Sequence, residues 1–256
     1  MFLPLRQSEI VEKARVAGRV TVEELAREFD VSPQTVRKDL NELCEQRILN
    51  RIHGGAIFPS STHNVLYEQR RQMAAPEKRL IGDTAAKLIP EDSSLFINIG
   101  TTTEAVGEAL LSHAKLMVIT NNINVANRLR PFPKFEVVIA GGVVRASDGG
   151  IVGEAAVDFI RQFKVDFAVI GTSAIDEDGA LLDFDFREVK VAQAIMANAR
   201  HVILVSDRTK FERTAPVRIG HLSQINTFVT DRCDRPSIRR ICSENDVALI
   251  ETADPS

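Results

Sequence analysis

The sequence predicts an α/β protein in two parts. A winged helix-turn-helix over residues 1–58 is joined by a linker, 59–75, to a doubly wound, mainly parallel α/β domain over 76–256. Three observations carry this prediction. A capped amphipathic helix at Ser32–Asn41 follows another capped helix and precedes a β-branched ribbon broken by Gly54-Gly55. From Pro76 onward, short apolar strands alternate with amphipathic helices, the pattern of a parallel sheet covered on both faces. Polar, glycine-rich clusters follow those strands, where ligands sit in such sheets.

Composition bounds the function. With 44% hydrophobic and 26% charged residues, the 256-residue chain has globular composition, and no apolar run reaches the ~18 residues that span a bilayer. Met1–Leu5 before Arg6 is too short for the apolar core of a signal peptide, so a cytoplasmic setting without membrane contact is expected. Cys44, Cys233 and Cys242 are odd in number and widely spread, which predicts reduced thiols rather than disulfides. No zinc-like spacing with histidine is present, and no cofactor is expected.

Taken in order, residues 6–17 form a first amphipathic helix ended by Gly18, and Arg19–Thr21 is extended. Thr21, with Glu24 three residues on, opens a second helix whose apolar stripe is Val22, Leu25, Ala26 and Phe29. Ser32 caps the third helix and Pro33 takes its first position, where no hydrogen bond is lost. Val36, Leu40 and Leu43 form its buried stripe, and Gln34, Arg37, Lys38 and Asn41 gather opposite. Those are side-chain types that read base edges and grip phosphates in a major groove. Residues 1–57 hold nine Lys/Arg and nine Asp/Glu, so DNA affinity must come from arrangement rather than net charge. Glu45 shares the polar face and confines contact to the first turns. The expected DNA-contacting residues are Ser32, Gln34, Thr35, Arg37, Lys38 and Asn41, with Arg51 and His53 on the ribbon reaching phosphate or minor groove. One reading helix per chain implies a homo-oligomer, dimer or tetramer, on a double-stranded operator.

Residues 59–75 carry no apolar period and read as a linker, with Arg70 and Arg71 as solvated charge. Beyond them, strands are predicted at Leu95–Ile99, Leu116–Thr120, Phe135–Ala140, Asp166–Gly171, His201–Val205, Thr227–Thr230 and Val247–Ile250. Helices are expected at Glu77–Ile89, Thr101–Leu111, Ile123–Leu129, Glu154–Phe163, Arg187–Ala199 and Pro236–Glu244. The strand ends supply candidate ligand residues: Gly100, Thr101, Thr102 and Thr103 opening a helix; Asn121 and Asn122; Gly141, Gly142, Arg145 and Asp148; Asp176; then Lys210 after Asp207. Each cluster alone is ordinary turn chemistry, but their recurrence points to one phosphate-accepting pocket. Walker A and Gly-x-Gly-x-x-Gly sequences are absent, which favours a small phosphorylated metabolite over a nucleotide.

Two sets of residues resemble a known family. Thr21–Leu25 with Phe29, Val31–Leu40 and Leu49-x-Arg51-x-His53-Gly54-Gly55-Ala56 are similar to the N-terminal domain of the DeoR family of bacterial transcription regulators. Lys38 stands where that family commonly has Arg, which loses the bidentate fork, and Arg47 where Gly is common. Gly100-Thr101-Thr102, Thr120-Asn121-Asn122, Ala140-Gly141-Gly142, Gly153-Glu154, Gly171 with Asp176, Arg187-Glu188 and Asp207-x-x-Lys210 resemble the family's sensor domain. That domain is related to pentose-phosphate isomerases and CoA transferases. The resemblance implies a repressor controlled by a small phosphorylated metabolite. Likeness over Ser147–Glu154 and Leu182–Val189 implies sn-glycerol 3-phosphate and control of glycerol-metabolism genes. It also places Glu188 where the isomerases carry their base and adds Glu188 to the ligand residues. The rival reading is an active sugar-phosphate isomerase fused to a DNA-binding domain. Ser173 in place of an acidic partner, and a missing lysine-glycine run near Asp178–Ala180, imply that catalysis is not retained.

Overall fold

The structure, a computed structural model, describes residues 4–17, 19–46, 48–52, 54–57 and 67–252. The chain separates into two compact units, Met1–His63 and Asn64–Ser256.

The first unit runs α1 (Leu5–Ala17), β1 (Arg19–Thr21), α2 (Val22–Glu28), α3 (Pro33–Glu45), β2 (Asn50–Ile52) and β3 (Gly55–Ile57). Ile10, Ala14, Leu25, Val36, Leu40, Leu43 and Leu49 close one core between helices and ribbon. The strands form an antiparallel sheet ordered β1-β3-β2, so the extended piece Arg19–Thr21 is a third strand of the ribbon. Register pairs Thr21 with Gly55, and a Cβ on Gly55 would lie 2.1 Å from the Val20 carbonyl oxygen. Only glycine permits that approach.

The second unit opens with α4 (Tyr67–Gln72) and α5 (Ala75–Ala86), then β4 (Ser93–Ile97), α6 (Thr101–Ala109), β5 (Leu116–Thr120), α7 (Ile123–Leu129) and β6 (Phe135–Ile139). It continues through β7 (Val143–Val144), β8 (Ile151–Val152), α8 (Glu154–Ile160), β9 (Val165–Ile170), β10 (Ala174–Ile175), β11 (Ala180–Asp183) and α9 (Phe186–Ala197). It ends with β12 (Ala199–Val205), β13 (Val217–His221), β14 (Thr227–Thr230), α10 (Pro236–Glu244) and β15 (Ala248–Glu251). Seven strands form a parallel sheet ordered β15-β14-β12-β9-β4-β5-β6. Alternate strand residues serve opposite faces. Leu95, Ile97, Val118 and Val169 pack under Ile81, Val106 and Val125 of α5–α7, while Phe96, Ile119, Ala168 and Leu204 meet Val157, Val191 and Ile238 of α8–α10. Strand order reverses between β4 and β9, and a cleft opens beyond their carboxyl ends.

The structure corrects the reading of residues 67–75. Tyr67–Gln72 is helical and Ala75 begins the next helix; both belong to the second unit. The α4 helix is held by polar pairs instead of an apolar stripe, so periodicity could not reveal it. Residues 58–66 lie outside the described residues. The antiparallel sheet β10-β11-β13 and the ribbon β7-β8 are additions to the expected topology. No helix among the described residues is long and apolar enough to cross a membrane.

Candidate functional sites

In the first unit, the third helix presents the expected face. Ser32 Oγ accepts from Thr35 N (3.1 Å) and contacts Thr35 Oγ1 (2.9 Å), so both hydroxyls set the helix start. Gln34, Arg37, Lys38, Asn41 and Glu45 are exposed, as is Arg51 on β2. Asp39 turns the other way and is buried, accepting from Arg6 Nε (2.6 Å) and Gln7 Nε2 (3.3 Å). Gln7 also donates to Glu42 (2.7 Å). Two of the helix's acids are thereby held against α1, which leaves its first turns with a cationic and amide surface. His53 lies outside the described residues.

In the second unit, the cleft at the switch point is lined by Gly100, Thr101, Thr102 and Thr103, by Gly171, Thr172 and Ser173, and by Arg70, Asp183, Glu188 and Lys210. Gly100 precedes α6 with φ +148° and no side chain caps the helix, so its first N–H groups face the cleft with the positive end of the helix dipole. Thr103 Oγ1 is occupied, donating to the carbonyls of Asn98 (2.7 Å) and Gly100 (2.8 Å). Lys210 is 7% exposed; its backbone N–H donates to the Asp207 carbonyl (3.1 Å), and its ammonium makes no hydrogen bond or ion pair among the described residues. Burial pushes it down to about 7, Asp207 opposing and Arg213, Lys78 and Arg70 adding to the shift. Lys78 Nζ lies 3.9 Å from Asp207 Oδ2, and that oxygen and buried Arg213 Nη1 find no hydrogen-bond partner among the described residues. Arg70 and Lys210 thus line one end of the cleft, with Lys78 and Arg213 near enough to weigh on Lys210. An anion there would relieve them.

The other end is acidic. Burial, then the neighbouring Asp183 charge, pushes Glu188 up to about 8, against the pull of Arg145. Burial likewise raises Asp183, which Ser173 hydrogen-bonds. Two carboxyls in one buried site cannot both ionise freely, so a proton stays with the pair near neutrality. Arg145 ties this end together, donating to Asp148 (2.8 and 2.7 Å), to Glu188 (2.6 Å) and to Asp185 (3.3 Å).

The cleft therefore gathers Gly100, Thr101, Thr102, Thr103, Glu188 and Lys210, with Arg145 and Asp148 in its wall through their ion pairs. The remaining expected ligand residues are placed elsewhere. Asn122 Oδ1 caps α7, accepting from Asn124 N (2.9 Å), and its amide donates to Glu104 (3.2 Å). Asn121 is buried and donates to the Ile151 carbonyl (3.1 Å). Gly141 and Gly142 make the turn into β7, and Gly142, at φ +146°, lies against Ile151 and Val152. Asp176 starts the β10–β11 turn, its N–H donating to the Ala180 carbonyl (3.0 Å). Asn122 is thus engaged in capping its helix, while Asn121 Oδ1 is buried without a hydrogen-bond partner among the described residues. Sequence reasoning missed Arg70, Lys78, Asp183 and Arg213. The one available signal was Tyr67 and Arg70 at i, i+3, which share a helical face.

Comparison with known proteins follows the same division. The description "DeoR-like helix-turn-helix domain" matches residues 6–62, and "DeoR C terminal sensor domain" matches residues 73–232. The chain is 46% identical to the glycerol-3-phosphate regulon repressor of Escherichia coli K12, over 95% of this chain and 97% of that one. It is 50% identical to the protein of the same name from Haemophilus influenzae, over 88% of each. Among solved structures, ribose 5-phosphate isomerase A of Methanocaldococcus jannaschii is similar with TM-score 0.40 and 13% identity over 54% of each chain.

Proposed function

The chain belongs to the DeoR family of bacterial transcription regulators, and from that premise we propose that it is a cytoplasmic repressor released from its operator by sn-glycerol 3-phosphate. The observation that carries the reading is the cationic end of the cleft. An uncapped helix N-terminus and the buried ammonium of Lys210 together make a place for one phosphate group. At the other end, the Asp183–Glu188 pair and Arg145 suit hydroxyls rather than a second phosphate. A small phosphomonoester with free hydroxyls meets both demands, and the glycerol-3-phosphate regulon repressors that the chain resembles supply the particular one.

In the first unit, Gln34, Thr35, Arg37, Lys38 and Asn41 form the major-groove surface and Arg51 flanks it. One such surface per chain favours a homodimer or larger assembly on repeated half-sites. Ligand and DNA each prefer one arrangement of the chain, so each weakens the other by the same factor.

A thermal-shift series on the full chain tests the ligand class. At one hundred times its dissociation constant, sn-glycerol 3-phosphate adds about 2.7 kcal/mol, and glycerol adds nothing. A shift with another sugar phosphate alone removes the named effector and keeps the class. No shift with any phosphate ester contradicts the reading, and turnover of pentose phosphates that is lost in Glu188→Gln replaces it with the isomerase.

A further inference from the structure

Arg70 belongs to a helix that precedes the sheet, yet its guanidinium lines the cleft and is only 13% exposed. Its Nη2 reaches Asp148 Oδ2 at 3.2 Å, longer than a well-formed charge-assisted bond. Asp148 is already held by two shorter bonds from Arg145, so it gives up little if Arg70 leaves. The rest of α4 is tied to α5, α6 and α7. Tyr67 Oη donates to Glu104 (2.8 Å), which also accepts from Asn124 (2.9 Å), and Lys78 Nζ donates to the carbonyls of Arg70 and Met73 (2.7 Å to the latter). Lys78 also stands beside Asp207, among the cations that surround Lys210. Tyr67 and Lys78 thus fix α4 against neighbouring helices, and Arg70 reaches from the cations around Lys210 to Asp148 at the acidic end. Along the chain, α4 is the first described element after the first unit.

We infer that Arg70 is an effector-binding residue that exchanges Asp148 for the ligand's phosphate, so that occupancy of the cleft changes the hold on α4 and, through it, DNA affinity. The inference rests on the phosphate-site reading above. The exchange replaces a long ion pair, shared with Arg145, with a bond to a dianion, and the differential favours the bound arrangement of α4.

The test uses the full chain, sn-glycerol 3-phosphate as probe, and the variants Arg70→Gln and Arg70→Lys, with melting curves to confirm that each is folded. Calorimetry is expected to show at least tenfold weaker binding for Arg70→Gln and partial recovery for Arg70→Lys. Operator affinity, read by fluorescence anisotropy with the probe at saturation, is expected to fall in the wild-type chain and to stay near its ligand-free value in Arg70→Gln. Hydrogen exchange over Tyr67–Gln72 is expected to change on saturation in the wild-type chain only. Equal probe affinity in Arg70→Gln and wild type overturns the inference alone. So does a saturated Arg70→Gln chain that releases DNA as wild type does, because Arg70 would then bind without transmitting. A wild-type chain that binds no phosphate ester overturns the site reading and the inference together.

Discussion

Single residues divide the work at both sites. Arg37 is exposed on the first turns of α3, while Asp39, two positions on, is buried against Arg6 and Gln7. Arg37→Ala is therefore expected to cost about 1–3 kcal/mol of specific DNA binding and to relax base preference at one position. Operator titrations with single-base variants check both effects. Unchanged affinity would take Arg37 out of the interface. At the cleft, Lys210 sets a pH dependence. Its ammonium is pushed down to about 7, chiefly by burial, and a phosphate dianion would favour its charged form. Above pH 7, binding must take up a proton, so affinity falls by up to about tenfold per pH unit. Below about pH 6 the ester loses its second charge. Affinity is thus expected to peak between about pH 6 and 7, and Lys210→Met is expected to flatten the alkaline limb in calorimetric titrations.

Elements differ in how plainly they can be read from sequence. Helix α3 was legible because its cap, Pro33 and apolar stripe all name the same helix, and its start at Pro33 follows from the Ser32–Thr35 bonds. The seven parallel strands were legible as short apolar runs between amphipathic helices. The α4 helix was not, since Tyr67 and Arg70 find their partners, Glu104 and Asp148, far along the chain. Strands β7, β8 and β10 are two residues each, below the length at which alternation carries a signal. Half of the candidate site was hidden for the same reason. Lys210 follows a strand and was found, whereas Arg70 and Asp183 are brought in by helix packing and by a short antiparallel strand. Among legible elements the ribbon makes the sharpest mechanical prediction. Gly55→Ala would press a methyl group into the Val20 carbonyl, so β3 must move from β1. Overpacking of this kind costs about 1–3 kcal/mol. Denaturant melts should register that loss in the first unit, with binding of sn-glycerol 3-phosphate by the second unit unchanged; a fully stable Gly55→Ala chain would contradict the pairing of β1 with β3.

At the scale of the whole molecule, a small neutral DNA-reading unit is joined to a sensor unit about three times as long. With nine basic and nine acidic residues in its first 57, the reading unit has little electrostatic reserve, so its DNA affinity depends on how its charges are arranged. The sensor unit places one bipolar cleft at the reversal of strand order, and the proposed phosphate would sit there beside Lys210, with Arg213 close by. The central claim is that filling this cleft with a phosphate ester loosens the grip on DNA. Its most direct measurement is the affinity of the full chain for a duplex selected from a random library, taken by fluorescence anisotropy at fixed salt with and without saturating sn-glycerol 3-phosphate. The account predicts at least a tenfold weakening, about 1.4 kcal/mol of coupling, with glycerol alone inert. Unchanged DNA affinity with the ester bound would contradict it.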